Sequence, residues 1–314
     1  MMTSIRNLFA AMAAAVVTVA PAEEWGTDYT AALVRAQREG RAVLVNFTGS
    51  DWCGYCMRLK AEVLDHPEFA AWAGESFVLL EVDLPRRADV DPELLERNRE
   101  ICSRYAVDGF PTLMVLDERG RALGCLAGFE GDRHLVRKVL SDGLRACELL
   151  RQGDSLQGEQ ELACLLAVWK LLPDELRRLN PGLRAEIISL DEQDVSGLRA
   201  EAEAERRLRD CRSAVQAAPT DAAALSIVDE ALRHAVPANR RQLLEIKHQL
   251  LFLLAENTDD ICAAAEVAYA AIEADLRYTA RMKELRLRQL RAVYANPQTA
   301  LNRSRSIRRK RPAR

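Results

Sequence analysis

Hydrophobic and polar positions change period along the chain, and the change divides it into two parts. Tyr29 to Glu39 reads as a helix that Gly40 stops. Arg41 to Phe47 is a short, nearly continuous apolar run, the pattern of a buried strand. Met57 to Leu64 is helical, Asp65-His66-Pro67 interrupts, and Glu68 to Ala73 resumes. Phe77 to Val82 is a second strand, and Pro85 to Asp91 is a charged loop. Pro92 to Tyr105 is an amphipathic helix with proline in its first turn. Thr112 to Leu116 and Arg121 to Leu126 form a hairpin around Glu118-Arg119-Gly120, and Asp132 to Leu150 closes the series as a helix. The order is βαβαββα with an extra leading helix.

From about Gln152 the strand signals stop. Segments near 158–172, 173–189, 196–217, 220–235, 238–256, 259–275 and 277–294 carry helical spacing, as in Leu243, Leu244, Ile246, Leu250, Leu251, Leu253 and Leu254. Pro173, Asn180-Pro181-Gly182, Pro219, Pro237 and Asn257 punctuate them. Short loops between such helices predict antiparallel neighbours, hence a bundle or a helix-pair solenoid. No tetratricopeptide signature repeats. Trp169 and the leucine stripes read as core rather than as a binding groove.

The ends differ from both parts. Residues 1–22 read as a signal peptide: Arg6, then the apolar run Leu8 to Ala20, then Ala20-Pro21-Ala22 with cleavage after Ala22. A run of thirteen residues is too short to span a bilayer comfortably. The expectation is export by a bacterium into the periplasm, where disulfides are permitted. Residues 297–314 read as a disordered basic tail, since Arg303 to Arg314 holds seven basic residues and no acid. Anchoring on anionic lipid or an envelope polymer is the functional alternative for it. The expected division is therefore 1–22, 23–150, 151–296 and 297–314. Net charge is −3 and the body is acidic, which argues against nucleic acid. Oligomeric state is not legible.

The candidate chemistry is Cys53-Gly54-Tyr55-Cys56, which follows a strand and opens a helix. With eight cysteines in 314 residues, an i,i+3 pair arises by chance roughly 0.2 times, so spacing alone says little. The position says more, because a helix N-terminus favours the thiolate, the species that exchanges disulfides. A structural disulfide and half of a metal site are the competing readings. Zinc would need a second ligand pair, which Cys102, Cys125, His66 and His134 do not supply. The remaining cysteines (Cys102, Cys125, Cys147, Cys164, Cys211 and Cys262) could be structural disulfides or buried thiols, and a Cys102–Cys125 bridge is left open.

With Gly109-Phe110-Pro111-Thr112, Val82-Asp83 and the turn Asp117-Glu118-Arg119-Gly120, this motif resembles the thioredoxin superfamily over residues 25–145, in its exported branch. The resemblance implies an α/β thioredoxin-like domain ahead of the all-helical part. It implies a thiol–disulfide oxidoreductase in which Cys53 is nucleophile and Cys56 resolves. Pro111 would be the cis-proline beside the disulfide. Trp52, Gly54, Tyr55, Phe110 and Pro111 would meet an extended substrate. No metal or organic cofactor is implied beyond the redox-active disulfide. The partners implied are protein thiols and disulfides, together with a thiol redox partner, a membrane-embedded one included.

Two positions depart from thioredoxin. Asn46 stands near its buried strand aspartate and cannot titrate, which leaves proton transfer to water or to Lys60 and Glu62. Gly54-Tyr55 replaces Gly-Pro between the sulfurs. Both argue against a strongly reducing role, and neither establishes an oxidising one. The rival readings are a non-catalytic scaffold whose helical part binds proteins, and a peroxidase, for which Arg58 is too generic a support.

Overall fold

The computed structural model describes residues 24–86 and 91–310. The signal-peptide and cleavage expectations lie outside the described residues, as does Arg311 to Arg314. The chain forms two compact units, one ending at Leu190 and the other beginning at Asp191.

The first unit opens with α1 (Tyr29–Glu39), capped by Asp28, whose carboxylate accepts from Ala31 N, and ended by Gly40 in the left-handed region. Strand β1 (Ala42–Thr48) follows, and all seven of its residues are buried. Helix α2 (Gly54–Leu59) runs into a π-helical turn (Lys60–Leu64). After it come α3 (Pro67–Ser76), β2 (Phe77–Asp83), α4 (Pro92–Arg104), β3 (Thr112–Leu116), β4 (Ala122–Ala127) and α5 (Arg133–Gly153). The sheet order is β2-β1-β3-β4. β2 lies parallel to β1, while β3 and β4 are antiparallel to their neighbours. The central strand β1 is therefore apolar apart from Asn46 and Thr48, because both of its faces are covered.

The β3–β4 turn is organised by Asp117. Its carboxylate accepts from Arg119 N (3.0 Å), Arg121 N (2.7 Å) and Arg121 Nε (2.5 Å). α5 packs on β3 and β4 at Gly143 and Gly124, where a Cβ on Gly143 would stand 2.8 Å from Val115 Cβ.

Three helices read from sequence as belonging to the helical part pack in this unit. They are α6 (Glu159–Leu171), α7 (Asp174–Leu179) and α8 (Pro181–Leu190). The expected division after residue 150 falls inside α5, which continues to Gly153. α6 packs back along α5, and Asn180 Nδ2 donates to Ala122 O of β4 at 2.7 Å. Asn180 also splits the 173–189 segment into two helices, its own carbonyl-bonded amide buried at the break.

The second unit consists of α9 (Leu198–Ala217), α10 (Asp221–Arg233), α11 (Pro237–Leu254), α12 (Thr258–Glu273), α13 (Ala280–Val293) and α14 (Pro297–Lys310). α9 to α13 pack mainly on their sequence neighbours, whereas α14 packs on α12 and α11. One core gathers Leu208, Cys211, Val215, Val228, Leu243 and Leu250, and a second gathers Ile261, Ala300 and Leu301.

α14 corrects the reading of 297–314 as a disordered tail. Over Pro297–Lys310 the chain is helical and buries Ala300, Leu301 and Ser304. Its arginines have work that a charge count does not register. Arg305 donates to Glu256 O and Arg308 to Ala255 O, both at 2.7 Å, capping carbonyls beyond the end of α11.

Candidate active site around Cys53 and Cys56

The end of β1 delivers a tight loop to the start of α2. Cys53 N and Trp52 N both donate to Gly49 O, at 2.9 and 3.2 Å. Cys53 is the N-cap of α2, and its sulfur accepts from Cys56 N at 3.1 Å. The two sulfurs form a disulfide. An N-cap sulfur lies at the positive end of the helix, where negative charge is favoured once the bond is reduced. Cys53 and Cys56 are 6% and 4% exposed, so burial hardly distinguishes them; position at the cap does.

The loop is clamped from β2 and the segment after it. Asp83 accepts from Ser50 N (2.8 Å) and Ser50 Oγ (2.5 Å), and Asp51 accepts from Arg86 N. Trp52 Nε1 donates to Leu84 O at 2.8 Å, Arg86 covers its ring at 4.2 Å, and Phe110 meets it edge-on at 5.9 Å. A Cβ on Gly49 would lie 2.4 Å from the indole, so only glycine leaves the ring this position. Trp52 is thus held on three sides and half-buried, with Phe110 bringing the loop before β3 alongside the cysteines.

In that loop the Phe110–Pro111 peptide bond is cis. Pro111 O accepts from Gly128 N (2.7 Å), and Thr112 Oγ1 donates to Gly109 O (2.9 Å). Tyr55, between the two cysteines, and Met57, the residue after Cys56, are 61% and 49% exposed. The structure therefore gathers Trp52, Cys53, Gly54, Tyr55, Cys56, Phe110 and Pro111 into one region.

Lys60 and Glu62 are placed differently. Lys60 Nζ pairs with Asp65 at 3.0 Å and Glu62 with Arg58 at 2.8 Å, both on the helix exterior. Sequence reasoning missed a partly buried titratable group on the edge strand β2, Glu81. It stands opposite Asn46 in the β1–β2 register, and Asn46 Nδ2 reaches Glu81 Oε2 at 3.4 Å. Asn46 Oδ1 is buried and finds no partner. Burial raises the Glu81 pKa, the Asp83 charge adds to the rise, and Lys60 opposes it. A lone glutamate in the apolar strand Phe77-Val-Leu-Leu-Glu-Val was the signal that could have found it.

Glu81→Gln keeps an acceptor for Asn46 and removes the titration. Because the folded pKa is raised, the folded chain holds a proton that the unfolded chain loses above the ordinary value of 4.5. Wild-type stability then falls as pH climbs through the raised value, and the deficit persists above it. The variant is expected to melt higher than wild type at pH 7, with the advantage gone below the ordinary carboxylate pKa. An offset that is the same at every pH would assign the effect to packing instead.

The other six cysteines are free thiols, so the Cys102–Cys125 bridge is not formed. Burial pushes Cys102 up to about 11 and raises Cys125, Cys147 and Cys211, which suppresses their thiolates. Among the described residues, no group of three or more His, Cys, Asp or Glu could hold a metal ion, and no helix is long and apolar enough to cross a membrane.

Comparison with known proteins agrees with this geometry. The thioredoxin-like domain family matches residues 29–143. The disulfide bond reductase DsbH of Chlamydia pneumoniae is 34% identical over 116 residues, 36% of this chain and 69% of that protein. The thioredoxin-related protein DsbJ of the same organism is 30% identical over 105 residues, 33% of this chain and 30% of that protein. A solved DsbH oxidoreductase is 27% identical, covering 45% of this chain and 95% of its own, with a TM-score of 0.38. The matched segment holds the four-stranded sheet, the Cys53–Cys56 disulfide and the loop at Pro111, and the chain belongs to the thioredoxin-like domain family.

Proposed function

We propose that this protein is an exported, periplasmic thiol–disulfide oxidoreductase acting on protein substrates through Cys53 and Cys56. The observation that carries the reading is a Cys-Gly-Tyr-Cys disulfide at the N-cap of α2, with Trp52 and the Pro111 loop beside it. Kinship with a protein named a disulfide bond reductase supports it.

In the reducing direction the Cys53 thiolate attacks a substrate disulfide and displaces one substrate thiolate. Cys56, deprotonated, then attacks Cys53 Sγ, releases the second substrate thiolate and closes the Cys53–Cys56 disulfide. Two electrons pass from the dithiol to the substrate. Another thiol protein restores the dithiol, and neither metal nor organic cofactor takes part. Trp52, Gly54, Tyr55, Phe110 and Pro111 form the substrate-facing surface.

The test is the reduction potential of the pair, with the other six cysteines replaced where tolerated, together with turnover of a disulfide-bonded protein. A value near about −270 mV makes the protein a reductant, and one near about −120 to −180 mV an oxidant or isomerase. A bond that excess dithiothreitol leaves closed, with no exchange, would instead make the domain a scaffold.

A further inference from the structure

Charge is distributed very unevenly along this chain. From Leu285 to Arg314 there are ten basic residues and no acid, while residues 1–284 hold 34 basic and 47 acidic side chains. Most of the described part of this cationic stretch lies in two helices, α13 and α14, that both pack against α12.

α13 has no buried residue. Its inward face is only half-covered, by Leu287, Leu290 and the neighbouring Tyr294. Its outward face is apolar as well: Met282, Leu285 and Val293 are 46%, 58% and 55% exposed. At about 100° per residue these three fall within roughly 80° of one another around the helix. Arg281 and Arg288 flank the stripe on one side and Arg286 on the other, all exposed. Glu284, the last acid of the chain, is paired with Arg288 at 2.8 Å. α14 adds exposed Arg303, Arg309 and Lys310, and Ile307 at 40% exposure.

We propose that α13, supported by the basic residues of α14, is a docking surface for the face of an anionic phospholipid bilayer. The helix lies in the interface plane, with Met282, Leu285 and Val293 at the acyl boundary and the flanking guanidinium groups on lipid phosphates. An apolar stripe edged by cations is what an in-plane helix needs. The long arginine stems cover apolar surface while their heads reach the phosphates. The same face is poorly suited to a second copy of the chain, which would set arginine against arginine. It carries no aromatic side chain on which nucleic-acid bases could stack. The proposal is independent of the disulfide chemistry.

The test is co-sedimentation of the full chain with vesicles of phosphatidylcholine containing about a third phosphatidylglycerol, and with phosphatidylcholine alone. Binding is expected to the anionic vesicles, at least about tenfold weaker to neutral ones, and weakened by salt. Arg281→Gln, Arg286→Gln and Arg288→Gln should each cost about fivefold. Met282→Gln, Leu285→Gln and Val293→Gln together should cost about tenfold or more. None of these side chains is buried, so far-UV dichroism should be unchanged. Equal binding to both vesicles, or binding to anionic vesicles that survives either set of changes, overturns the proposal. So does concentration-dependent self-association that the three apolar changes abolish.

Discussion

Replacing Cys56 with serine is expected to arrest the protein on its substrate as a covalent mixed disulfide through Cys53. The hydroxyl occupies the same buried, 4%-exposed site below the cap but cannot attack sulfur. Release then waits for a thiol from solution. The native Cys56 sulfur is held three residues from Cys53 within one helical turn, and such intramolecular groups act at effective concentrations of about 10⁵ M or more. A millimolar external thiol falls far short of that, so turnover should drop at least about 10³-fold. Cys53→Ser should remove exchange without trapping anything. The check is intact mass of the variant incubated with a disulfide-bonded protein, alongside turnover in glutathione. Continued multiple turnover by the Cys56 variant would show that another thiol resolves the intermediate. Cys262 is then the first to test, since it is the exposed free cysteine.

The second large effect concerns the frame rather than the sulfur. Gly143→Ala is expected to destabilise the first unit, although alanine is the better helix former by about 1 kcal/mol. The added methyl would lie 2.8 Å from Val115 Cβ and 3.2 Å from Gly124 Cα, both at buried positions of β3 and β4. Neither is the end of a flexible side chain, so α5 must lift from the sheet. Overpacking of this kind costs about 1–3 kcal/mol, which exceeds the helix gain over most of its range. Gly143→Val loses the helix gain as well and should cost about 3 kcal/mol. Thermal melts can assign the loss, because all four tryptophans (Trp25, Trp52, Trp72 and Trp169) lie before Leu190 and their fluorescence reports the first unit. A fluorescence Tm lowered by about 2–4 °C per kcal/mol is expected. An unchanged or raised Tm for Gly143→Ala would show that the layer yields.

How much of this was legible depends on the range of the interactions. Cys53, Cys56, Trp52, Phe110 and Pro111 stood out because local spacing and strand–helix punctuation carry them. Arg86 over Trp52, and Asp83 under Ser50, did not stand out. Those pairs join residues more than thirty positions apart and leave no periodic trace. Glu81 was passed over for a related reason. One carboxylate in an apolar run reads as a solvent-facing residue until register sets it opposite Asn46.

What the chain determines by itself is the set of elements and the reactive motif. Hydrophobic period separates strand from helix, prolines and caps bound the helices, and Cys-Gly-Tyr-Cys after a strand marks the chemistry. These are local properties, governed by backbone conformation and by neighbours within a turn or two. Tertiary structure alone decided where the first unit ends, since Asn180 reaching Ala122 ties α7 and α8 to the sheet. It alone turned a basic segment into α14, because Leu301 finds a core and Arg305 and Arg308 find open carbonyls more than forty residues away. Burial and hydrogen-bond satisfaction depend on which distant surfaces meet, and composition carries no record of that.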